Sequence, residues 1–452
     1  MKIVIVGCGS IGTTLIEKLS KEGNDVVAID LVAESINAIT ESYDVLGVVG
    51  NGATFAIQKE AGVDTADLLI AVTNSDELNL LCCMIAKRLG NCQTICRVRN
   101  PVYNSEVKFL KKELGIALVI NPEFESAREI SKLLSIPSVS SASVFANGNV
   151  QMLTFKVKEN SILAGLKVID IPNKLNCDVL VGMVERGEEV YIPNGQFEIL
   201  LGDVITVIVS AKKTSAFFRK IKQSAGQVKS AIIVGGGRIT RYLARRLIDN
   251  NISVKIVEKD YDKCLALSSE FPEATVINGD GMNRELIEEE EPDVRGGFVA
   301  LTNSDEQNVF MSLYAKSQSN NKVITKISKL KQDGILGNLQ LDSYISPKNI
   351  AANTIIGYVR AMKNSLESEV ESLYRLSEDR VEALEFIIKE GSPVSNVPIY
   401  ELKLKKNLLI ACIVRDGDPI IPRGSDKIIV GDTVIVITTN LGFNEISDIL
   451  ED

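Results

Sequence analysis

The chain has 452 residues, of which 45% are hydrophobic and 24% are charged, and its formal net charge is −9. This length predicts two to four domains, and the composition is that of an ordinary globular protein. The acidic net charge argues against nucleic acid as the main partner. No apolar run approaches the roughly 18 residues of a membrane span, and Val6 leads directly into a glycine turn, unlike a signal peptide. We therefore expect a cytoplasmic protein whose membrane contact comes only through a partner.

The chain contains eight cysteines without a CxxC pair, and it contains no histidine. Zinc would need a thiolate or carboxylate site at spacings that the sequence lacks, so no metal site is predicted. The absence of histidine also removes the commonest general base. We expect the cysteines to be small buried residues in a reducing compartment.

The first thirty residues predict a dinucleotide site, because an apolar strand, a glycine turn, a helix, a second strand and an acid follow in order. Gly7 allows the tight turn, Gly9 lets the backbone approach a pyrophosphate, and Gly12 lets the helix sit close to the strand. The helix N-terminus favours phosphate. Asp30 is placed to accept hydrogen bonds from a ribose diol, which favours NAD-type or adenosine ligands over NADP. The alternative is a purely structural turn.

The chain repeats itself at an offset of 228 or 229 residues (235 − 7 and 300 − 71). The anchors are short motifs with matched spacing, so we infer a duplicated two-domain unit. They pair Gly7–Gly12 with Gly235–Thr240, Asp30 with Glu258, Gly50–Gly52 with Gly279–Gly281, Ala71–Glu77 with Ala300–Glu306, and Gly202–Asp203 with Gly431–Asp432.

Strand-like and helix-like segments alternate in each nucleotide-binding unit, which predicts an α/β fold with a doubly wound parallel sheet. We place these Rossmann-like domains at residues 1–136 and 226–365. In the first, strands are predicted near 2–6, 26–30, 45–49, 68–72, 94–98 and 117–120, and helices near 11–21, 32–40, 53–60, 76–89, 102–113 and 123–134. The glycine turn, Asp30, Asn51 and Thr73 then fall at one edge of the sheet, each at the end of a strand.

The string Thr73-Asn74-Ser75-Asp76-Glu77 recurs in the second half, where Thr302 and Asn303 occupy the first two positions. Thr73 and Asn74 are candidates to bind the second ribose or the middle of a dinucleotide. The alternative is a helix cap, since serine or asparagine before two acids is a favourable N-terminus.

A small α+β domain of short strands is predicted after each nucleotide domain, at residues 137–225 and 366–452. We interpret residues 138–143 as a linker of small residues, followed by a strand near 150–157.

The second copy of the glycine turn is altered. Thr240 replaces the third glycine, so we expect looser packing of the helix on the strand. Arg238 stands where the first half has Ser10, and at a helix N-terminus it can pair with phosphate or remain a solvated charge. Lysines 322, 326, 329 and 331 are interpreted first as a solvated face and second as a docking surface.

The order of domains and the repeated motifs resemble the tandem RCK (KTN) family, the cytosolic regulatory subunits of bacterial and archaeal Trk potassium uptake systems. The resemblance covers essentially the whole chain. It implies a non-enzymatic regulator that binds NAD(H) and ATP or ADP and sits as a ring, commonly a tetramer, beneath a TrkH- or TrkG-like membrane channel.

The resemblance also implies roles for particular residues. Phosphate contacts map to Gly9, Ser10, Ile11 and Arg238, with Gly235, Gly237 and Ile239 completing the second loop, and ribose acids map to Asp30 and Glu258. Arg97 and Lys326 map to a basic position near the fifth strand. Asn51, beside Gly52, stands where many such domains carry an aspartate, and Asp280 retains that aspartate in the second half.

Two alternatives remain at this stage. One is an NAD-dependent dehydrogenase, which the missing histidine disfavours. Its only Tyr-x-x-x-Lys pair, Tyr344 and Lys348, contains Pro347, which breaks the helix that would align the two side chains. The other alternative is a soluble nucleotide-sensing adaptor without a channel partner.

Overall fold

The computed structural model describes residues 1–100, 103, 106–159, 161–223, 228–290, 296–319, 321–328, 339, 341–364, 370–377 and 380–451. These residues form two parallel sheets of six strands and two antiparallel sheets of five strands. Over the same residues, every helix is too short or too polar to cross a bilayer. The predicted fold class, two doubly wound domains each followed by a small α+β domain, is confirmed.

The first parallel sheet has the strand order β3-β2-β1-β4-β5-β6. Its central strands are continuous apolar runs, which allows helices to cover both faces of the sheet. Ile3, Val4 and Ile5 of the first strand are fully buried. The strands are β1 Lys2–Val6, β2 Asp25–Asp30, β3 Leu46–Val49, β4 Leu68–Ala71, β5 Gln93–Arg97 and β6 Leu118–Ile120. The helices are α1 Ser10–Lys21, α2 Ala33–Ser42, α3 Phe55–Glu60, α4 Asp76–Leu89, α5 Val107–Leu114 and α6 Pro122–Ser135. Each predicted element is present, although part of the segment predicted as helix at 102–113 lies outside the described residues.

The second parallel sheet repeats this order as β14-β13-β12-β15-β16-β17. Its strands are β12 Ser230–Val234, β13 Ser253–Glu258, β14 Thr275–Asn278, β15 Gly296–Ala300, β16 Lys322–Lys326 and β17 Ser343–Ile345. Its helices are α9 Arg238–Asp249, α10 Tyr261–Glu270, α11 Arg284–Glu289, α12 Asp305–Gln318 and α13 Pro347–Asn364.

The first antiparallel sheet shows where the linker prediction was wrong. Residues 141–143 belong to β7, which pairs with β8 in antiparallel register, and Ala142 and Phe145 are buried. Strand pairing and burial override the weak strand preference of this serine-rich segment. The sheet order is β10-β9-β11-β8-β7, with strands β7 Ser141–Phe145, β8 Val150–Lys156, β9 Val179–Arg186, β10 Glu189–Tyr191 and β11 Val204–Ser210, and helices α7 Ile171–Leu175 and α8 Thr214–Lys220.

The second antiparallel sheet has the matching order β18-β19-β22-β20-β21. Its strands are β18 Val370–Leu376, β19 Val381–Ile387, β20 Leu408–Arg415, β21 Asp418–Ile420 and β22 Thr433–Thr438. The repeated Gly-Asp motif has a structural explanation in both sheets. The carboxylate of Asp203 accepts two hydrogen bonds from Arg186 at 2.8 and 2.9 Å, and Asp432 accepts two from Arg415 at 2.9 and 2.8 Å.

The helices α6 and α13 connect the two halves. Although the sequence assigns each to the nucleotide domain before it, their buried faces pack on the other half. Ala127, Ile130 and Leu134 of α6 share a core with Leu243 and Leu247 of α9. In the same way, α13 packs on α1, and Ile355 and Ile356 share a core with Leu15 and Leu19.

The two antiparallel sheets pack face to face through a core that includes Met152, Ile208 and Ile435. The Tyr374 hydroxyl donates a hydrogen bond to the Val144 carbonyl at 2.8 Å across this interface. The two halves are therefore joined through helices α6 and α13, which we call the crossing helices, and through the two antiparallel sheets.

Candidate functional site

The loops at the carboxyl ends of the parallel strands form one candidate site in each half, and we call these sites the first and the second cleft. In the order β3-β2-β1-β4 the chain reverses its winding between β1 and β4, and ligands of such sheets bind outside that point. The predicted site residues all lie at these edges, on the loops, at the last strand residues or in the first turn of the helix that follows. They are Gly7, Gly9, Ser10, Ile11, Gly12, Asp30, Asn51, Gly52, Thr73, Asn74 and Arg97 in the first half, and Gly235, Gly237, Arg238, Ile239, Glu258, Asp280, Thr302, Asn303 and Lys326 in the second.

The second glycine of each glycine turn faces open space. Gly9 precedes α1 with φ −72°, and a Cβ built on it meets no atom within 4 Å. Gly237 precedes α9 with φ −78° and is equally open. Neither the backbone conformation nor the packing requires glycine there. The missing side chain therefore fits the close approach of a ligand to the helix N-terminus, where backbone N–H groups have no intrahelical partner.

The other loop glycines have structural explanations. Gly7 and Gly235 adopt φ of +100° and +105°, a region that favours glycine. A Cβ on Gly12 would lie 1.9 Å from the Gly7 carbonyl oxygen. Thr240 occupies this position in the second half, where its side chain is buried and its hydroxyl donates to the Gly235 carbonyl. A local hydrogen bond thus takes the place of the third glycine.

The predicted ribose acids are held by the loops beside them. Asp30 accepts hydrogen bonds from the backbone N–H of Cys8 at 2.7 Å and of Val32 at 2.9 Å. Glu258 repeats the arrangement with Gly236 at 2.6 Å and Asp260 at 2.9 Å. Each carboxylate is half-buried, and each of its oxygens has a second lone pair that can accept from a ribose hydroxyl. Burial and the nearby Asp30 raise the pKa of the Cys8 thiol to about 12, so this loop cysteine stays neutral.

Most of the repeated Thr-Asn-Ser-Asp-Glu string is explained by internal hydrogen bonds. Ser75 caps α4 by accepting from the Leu78 N–H at 3.1 Å, which confirms the cap alternative for that residue. Asp76 accepts from the backbone N–H of Arg99 at 2.9 Å and of Asn100 at 2.8 Å.

The sequence analysis missed the buried asparagine two residues beyond this string. Asn79 Oδ1 accepts from the Thr73 hydroxyl at 2.7 Å, and its Nδ2 donates to the Arg97 carbonyl at 3.0 Å. Asn308 makes the same bonds to Thr302 and Lys326. The threonine hydroxyls are therefore already engaged. The exposed side chains of Asn74 and Asn303 are the members of the string best placed for a ligand.

The loop after the third strand carries asparagine in the first half and aspartate in the second. The two side chains make the same local hydrogen bond, since Asn51 Oδ1 accepts from the Ala53 N–H and Asp280 Oδ1 accepts from the Met282 N–H, both at 2.9 Å. Asp280 also accepts from Lys259 Nζ at 3.0 Å. These hydrogen bonds, from Met282 first and Lys259 second, lower the pKa of Asp280. Gly52 beside Asn51 is tightly packed, since an added Cβ would lie 2.3 Å from the Val6 side chain.

The basic residues at the fifth strand are withdrawn from solvent. Arg97 pairs with Glu123 of α6 at 3.4 Å, and both side chains are about seven-eighths buried, at 13% and 14% exposure. Arg97 Nε and Glu123 Oε2 have no hydrogen-bond partner in this structure. Burial lowers the pKa values of both Arg97 and Lys326.

Helix α9, which follows the glycine turn of the second cleft, is hydrogen-bonded to residues beside the first cleft. Tyr242, one turn after the exposed Arg238 on α9, donates to the Arg99 carbonyl at 2.9 Å and accepts from Asn121 Nδ2 at 3.0 Å. Arg99 in turn donates to the Asn74 carbonyl. A single tyrosine thus joins the helix of one cleft to a loop of the other.

The two residues of the alternative dehydrogenase motif lie on different elements. Tyr344 lies in β17 and Lys348 in α13, so they do not form the one-helix pair of a short-chain dehydrogenase. No group of three or more potential metal-ligating side chains occurs among the residues that the structure describes. The open space at Gly9 and Gly237, beside the hydrogen-bonded carboxylates of Asp30 and Glu258, fits a bound nucleotide.

The lysines predicted as a solvated face are in part buried. Lys322 is 3% exposed and Lys326 is half-buried, which contradicts that interpretation for both residues. Lysines 329 and 331 lie outside the described residues.

Comparison with known proteins assigns the family. The TrkA-N domain model matches residues 3–122 and 231–347, and the TrkA-C domain model matches residues 152–222 and 383–451. The Trk system potassium uptake protein TrkA homolog 1 of Methanosarcina mazei is 31% identical over 455 residues and covers 99% of each chain. The Haemophilus influenzae Trk system potassium uptake protein TrkA is 29% identical, covering 96% of this chain and 95% of the relative.

A solved structure described as the GsuK channel bound to NAD shares the fold. It is 17% identical with a TM-score of 0.64, and the match covers 97% of this chain and 76% of that chain. Since the family models match more than half of the residues and the archaeal relative matches nearly end to end, this chain belongs to the TrkA family, with two TrkA-N and two TrkA-C domains in alternation.

Proposed function

We propose that this chain is a regulatory subunit of a Trk-type potassium uptake system and that it binds NAD(H) and ATP or ADP in its two clefts. The relatives named as Trk system potassium uptake proteins support the transport role. The single observation that carries the nucleotide assignment is the pair of open phosphate loops, at Gly9 and Gly237, each beside a clamped acid.

Regulation requires that a nucleotide bind two conformations with different affinities. Differences of about 1–3 kcal/mol are typical of such coupling. The phosphate helices α1 and α9 both lie against a helix from the other half, so a shift of either helix acts on the interface between the halves. Nucleotide exchange in a cleft would then be transmitted as a change in the angle between the nucleotide domains.

The proposed partner is a membrane potassium channel subunit of the TrkH or TrkG type, with this chain on the cytoplasmic face and in contact with the membrane only through that partner. We propose a ring, commonly a tetramer, of this chain. Its exposed apolar side chains support self-association, because a second copy of the chain can cover such residues and remove them from water. They include Leu81 and Met84 on α4, Phe109 on α5 and Phe310 on α12, at 44%, 45%, 62% and 47% exposure.

Potassium flux in liposomes tests this proposal. The chain is reconstituted with a TrkH-type channel subunit, and flux is measured with ATP, ADP or NADH. We expect flux to depend on the nucleotide and to lose that dependence in the double variant Gly9→Asp, Gly237→Asp. Gly424→Asp is the matched control, because Gly424 lies in a turn of the last domain with ordinary packing around its Cβ position.

A non-enzymatic role predicts binding without turnover. We expect purified protein to bind NADH and ATP, measured by calorimetry, and to oxidise or hydrolyse neither at an enzymatic rate. Steady turnover of a hydroxy acid with NAD would contradict the regulatory proposal, and flux that ignores every nucleotide would contradict the gating.

A further inference from the structure

Two glutamates and two arginines form a buried cluster where helix α1 ends. The carboxylate of Glu22, the residue that caps α1, accepts from Arg360 Nη2 at 2.6 Å and from Arg375 Nη2 at 2.8 Å. Arg360 Nη1 also donates to Glu382 Oε1 at 3.2 Å, and Glu382 Oε2 accepts from the backbone N–H of Gly442 at 2.9 Å. Glu382 is fully buried and the side chain of Arg360 is 7% exposed. The two positive and two negative charges balance.

The cluster joins elements from distant parts of the chain. Glu22 belongs to α1, Arg360 to the crossing helix α13, and Arg375 and Glu382 face each other on strands β18 and β19 of the second antiparallel sheet. Removing one partner from a buried group of charges leaves an uncompensated charge, which is strongly unfavourable. A displacement of Glu22 would leave two arginines beside one carboxylate. The ion pairs therefore hold α1, α13 and the second antiparallel sheet in one relative position.

The other end of α1 lies at the first cleft. The helix runs from Ser10 to Lys21, and Gly9, which faces the open space proposed for a nucleotide phosphate, precedes it. Its 12 residues make a rod about 18 Å long, so a displacement at the glycine turn reaches Glu22. Helix α1 thus connects the first cleft to the second antiparallel sheet; the inference drawn from this connection rests on the proposed function.

The duplicated half carries no charge at the four equivalent positions. Equivalence follows from an offset of 228 for α1 and α9 (235 − 7) and of 225 for the crossing helices (347 − 122). For the strands β8 and β19 the offset is 231 (387 − 156), because these residues pair with Val204 and Thr433 of the equivalent strands β11 and β22. In the places of Glu22, Arg360, Arg375 and Glu382 stand Asn250, Ser135, Val144 and Gln151.

The polar groups at these equivalent positions bond within their own helices or sheet domain. Asn250 Nδ2 donates to the Arg246 carbonyl at 2.6 Å, and the Ser135 hydroxyl donates to the Ser131 carbonyl at 2.8 Å. Apolar packing between α6 and α9 is present in this half too. Hydrophobic contact is non-directional, however, and packed helices can slide by small amounts that would separate an ion pair. The two clefts therefore differ in how firmly their helices are joined to an antiparallel sheet.

We infer that the cluster of Glu22, Arg360, Arg375 and Glu382 couples the first cleft to the second antiparallel sheet, and that the second cleft has no equivalent coupling to the first antiparallel sheet. A nucleotide at Gly9 sets the position of α1, and the ion pairs carry that position to β18 and β19. Coupling of this kind is reciprocal, so the state of the sheet also sets the affinity of the first cleft. The duplicated chain then has two clefts with different outputs.

Hydrogen exchange of the backbone amides, measured by mass spectrometry on the full chain, tests the inference. One cleft is blocked by Gly9→Asp or Gly237→Asp, and NADH and ATP are each titrated into the open cleft by calorimetry. The tighter ligand is then used, and strand β8 reports any general stabilisation. We expect the ligand in the first cleft to slow exchange in β19 about fivefold more than in β8, and the ligand in the second cleft to slow both strands equally.

Variants of the cluster should remove this difference between the strands. Glu22→Gln removes the charge that holds α1, and Arg375→Met removes one of its two cationic partners. Each should reduce the difference to less than about twofold, and the double variant should do no more than either single one, because both break the same link. Glu17→Gln is the matched control on the same helix, since Glu17 pairs at the surface with Lys21, and it should keep the parent difference. Unfolding temperatures and calorimetry compare folding and ligand binding in all variants.

The outcomes separate this inference from the proposed function. If a nucleotide binds the first cleft but β19 and β8 respond equally in the parent chain, or if Glu22→Gln keeps the parent difference, the coupling is wrong while the nucleotide clefts stand. If neither NADH nor ATP binds in either singly blocked variant or in the unblocked chain, the proposed function and this inference both fail.

Discussion

At the scale of single residues, Gly9 and Gly12 of the first glycine turn are glycines for different physical reasons. Gly9→Asp should leave the fold intact, because its Cβ projects into open space, and should abolish nucleotide binding in the first cleft by filling that space with a carboxylate. Gly12→Ala should instead destabilise the protein by about 1–3 kcal/mol, since its Cβ would lie 1.9 Å from the Gly7 carbonyl oxygen. Thermal unfolding and calorimetry measure the two effects. Binding that survives Gly9→Asp would show that phosphate does not approach this loop.

Lys322 gives a pH-dependent prediction. Its ammonium donates to the Val139 carbonyl at 2.6 Å and to Ser343 Oγ at 2.8 Å, in a position only 3% exposed. Burial lowers its pKa to about 8, against the opposing effect of Asp342, while Lys316 and Lys158 lower it further. Between pH 8 and the ordinary lysine value of 10.5, the unfolded state binds more protons than the folded state. The contribution of Lys322 to stability should therefore rise with pH in this window and stay constant below it.

Lys322→Met removes this group and supplies the comparison. The free energy of unfolding of the parent, minus that of the variant, should increase from pH 8 to pH 10 in urea denaturation. The equivalent position in the first half is Gln93, which is exposed, so Gln93→Met is the control and should show no such trend. A flat difference for Lys322→Met would place the folded-state pKa near that of a free lysine.

At the scale of elements, Tyr242 connects α9 of the second cleft to the loop and helix that border the first. Tyr242→Phe removes one hydrogen bond to the Arg99 carbonyl and one from Asn121. We expect the free energy of unfolding to fall by about 1–2 kcal/mol, because both partners are left in a half-buried site. Nucleotide binding in the first cleft should also weaken, since Arg99 supports the loop that carries Asn74.

Tyr261→Phe is a matched control, because Tyr261 begins α10 and is 63% exposed. It should change neither stability nor binding. If Tyr242→Phe lowers stability while binding in the first cleft, measured with the second blocked, keeps its parent value, then the tyrosine is a packing element without influence on the site.

The element boundaries follow closely from local sequence signals, and the errors have physical causes. Apolar runs, glycine turns and caps place β1 to β4 and their helices within about two residues, because these signals are local. The strand at Ser141–Phe145 has no such signal, since its pairing with β8 and the burial of Phe145 provide its stability. Long-range pairing of this kind leaves little trace in a five-residue window.

The candidate site also divides into features that local sequence signals predict and features that depend on the folded structure. Spacing predicts the phosphate loops and acids because a glycine turn and its acid belong to one continuous βαβ unit. Asn79 and Asn308 can also be recognised in the sequence, because they end a longer string that both halves share, Thr-Asn-Ser-Asp-Glu-x-Asn. Their role depends on burial against Arg97 and Lys326 at the neighbouring strand, which only the folded sheet reveals.

At the scale of the whole molecule, the duplication has produced two halves that complete each other. The α6 helix fills a core with the second parallel sheet, and α13 does so with the first. Arg360 of α13 adds a charged link, since it pairs with Glu22 at the end of α1 at 2.6 Å and with the fully buried Glu382 at 3.2 Å. Each parallel sheet therefore depends on a helix from the other half of the chain.

This mutual dependence predicts that neither half folds stably alone. Residues 1–225 would leave the apolar face of α1, including Leu15 and Leu19, without α13, and residues 226–452 would leave Leu243 and Leu247 without α6. Exposed faces of this kind drive association or unfolding. Expressed separately, each half should be aggregated or show a broad, non-cooperative thermal transition. Expressed together, the two halves should copurify and show a cooperative thermal transition, because the shared cores re-form without a covalent link.

Leu15→Lys, introduced into the first half, tests whether that recovery occurs through the crossing helices. The substitution places a charge between α1 and α13 and should prevent copurification, whereas Lys21→Glu, at the exposed end of the same helix, should matter much less. A first half that melts cooperatively as a monomer would refute the dependence. It would mean that the parallel sheet has sufficient core of its own, so that the crossing helices serve communication between the clefts more than folding.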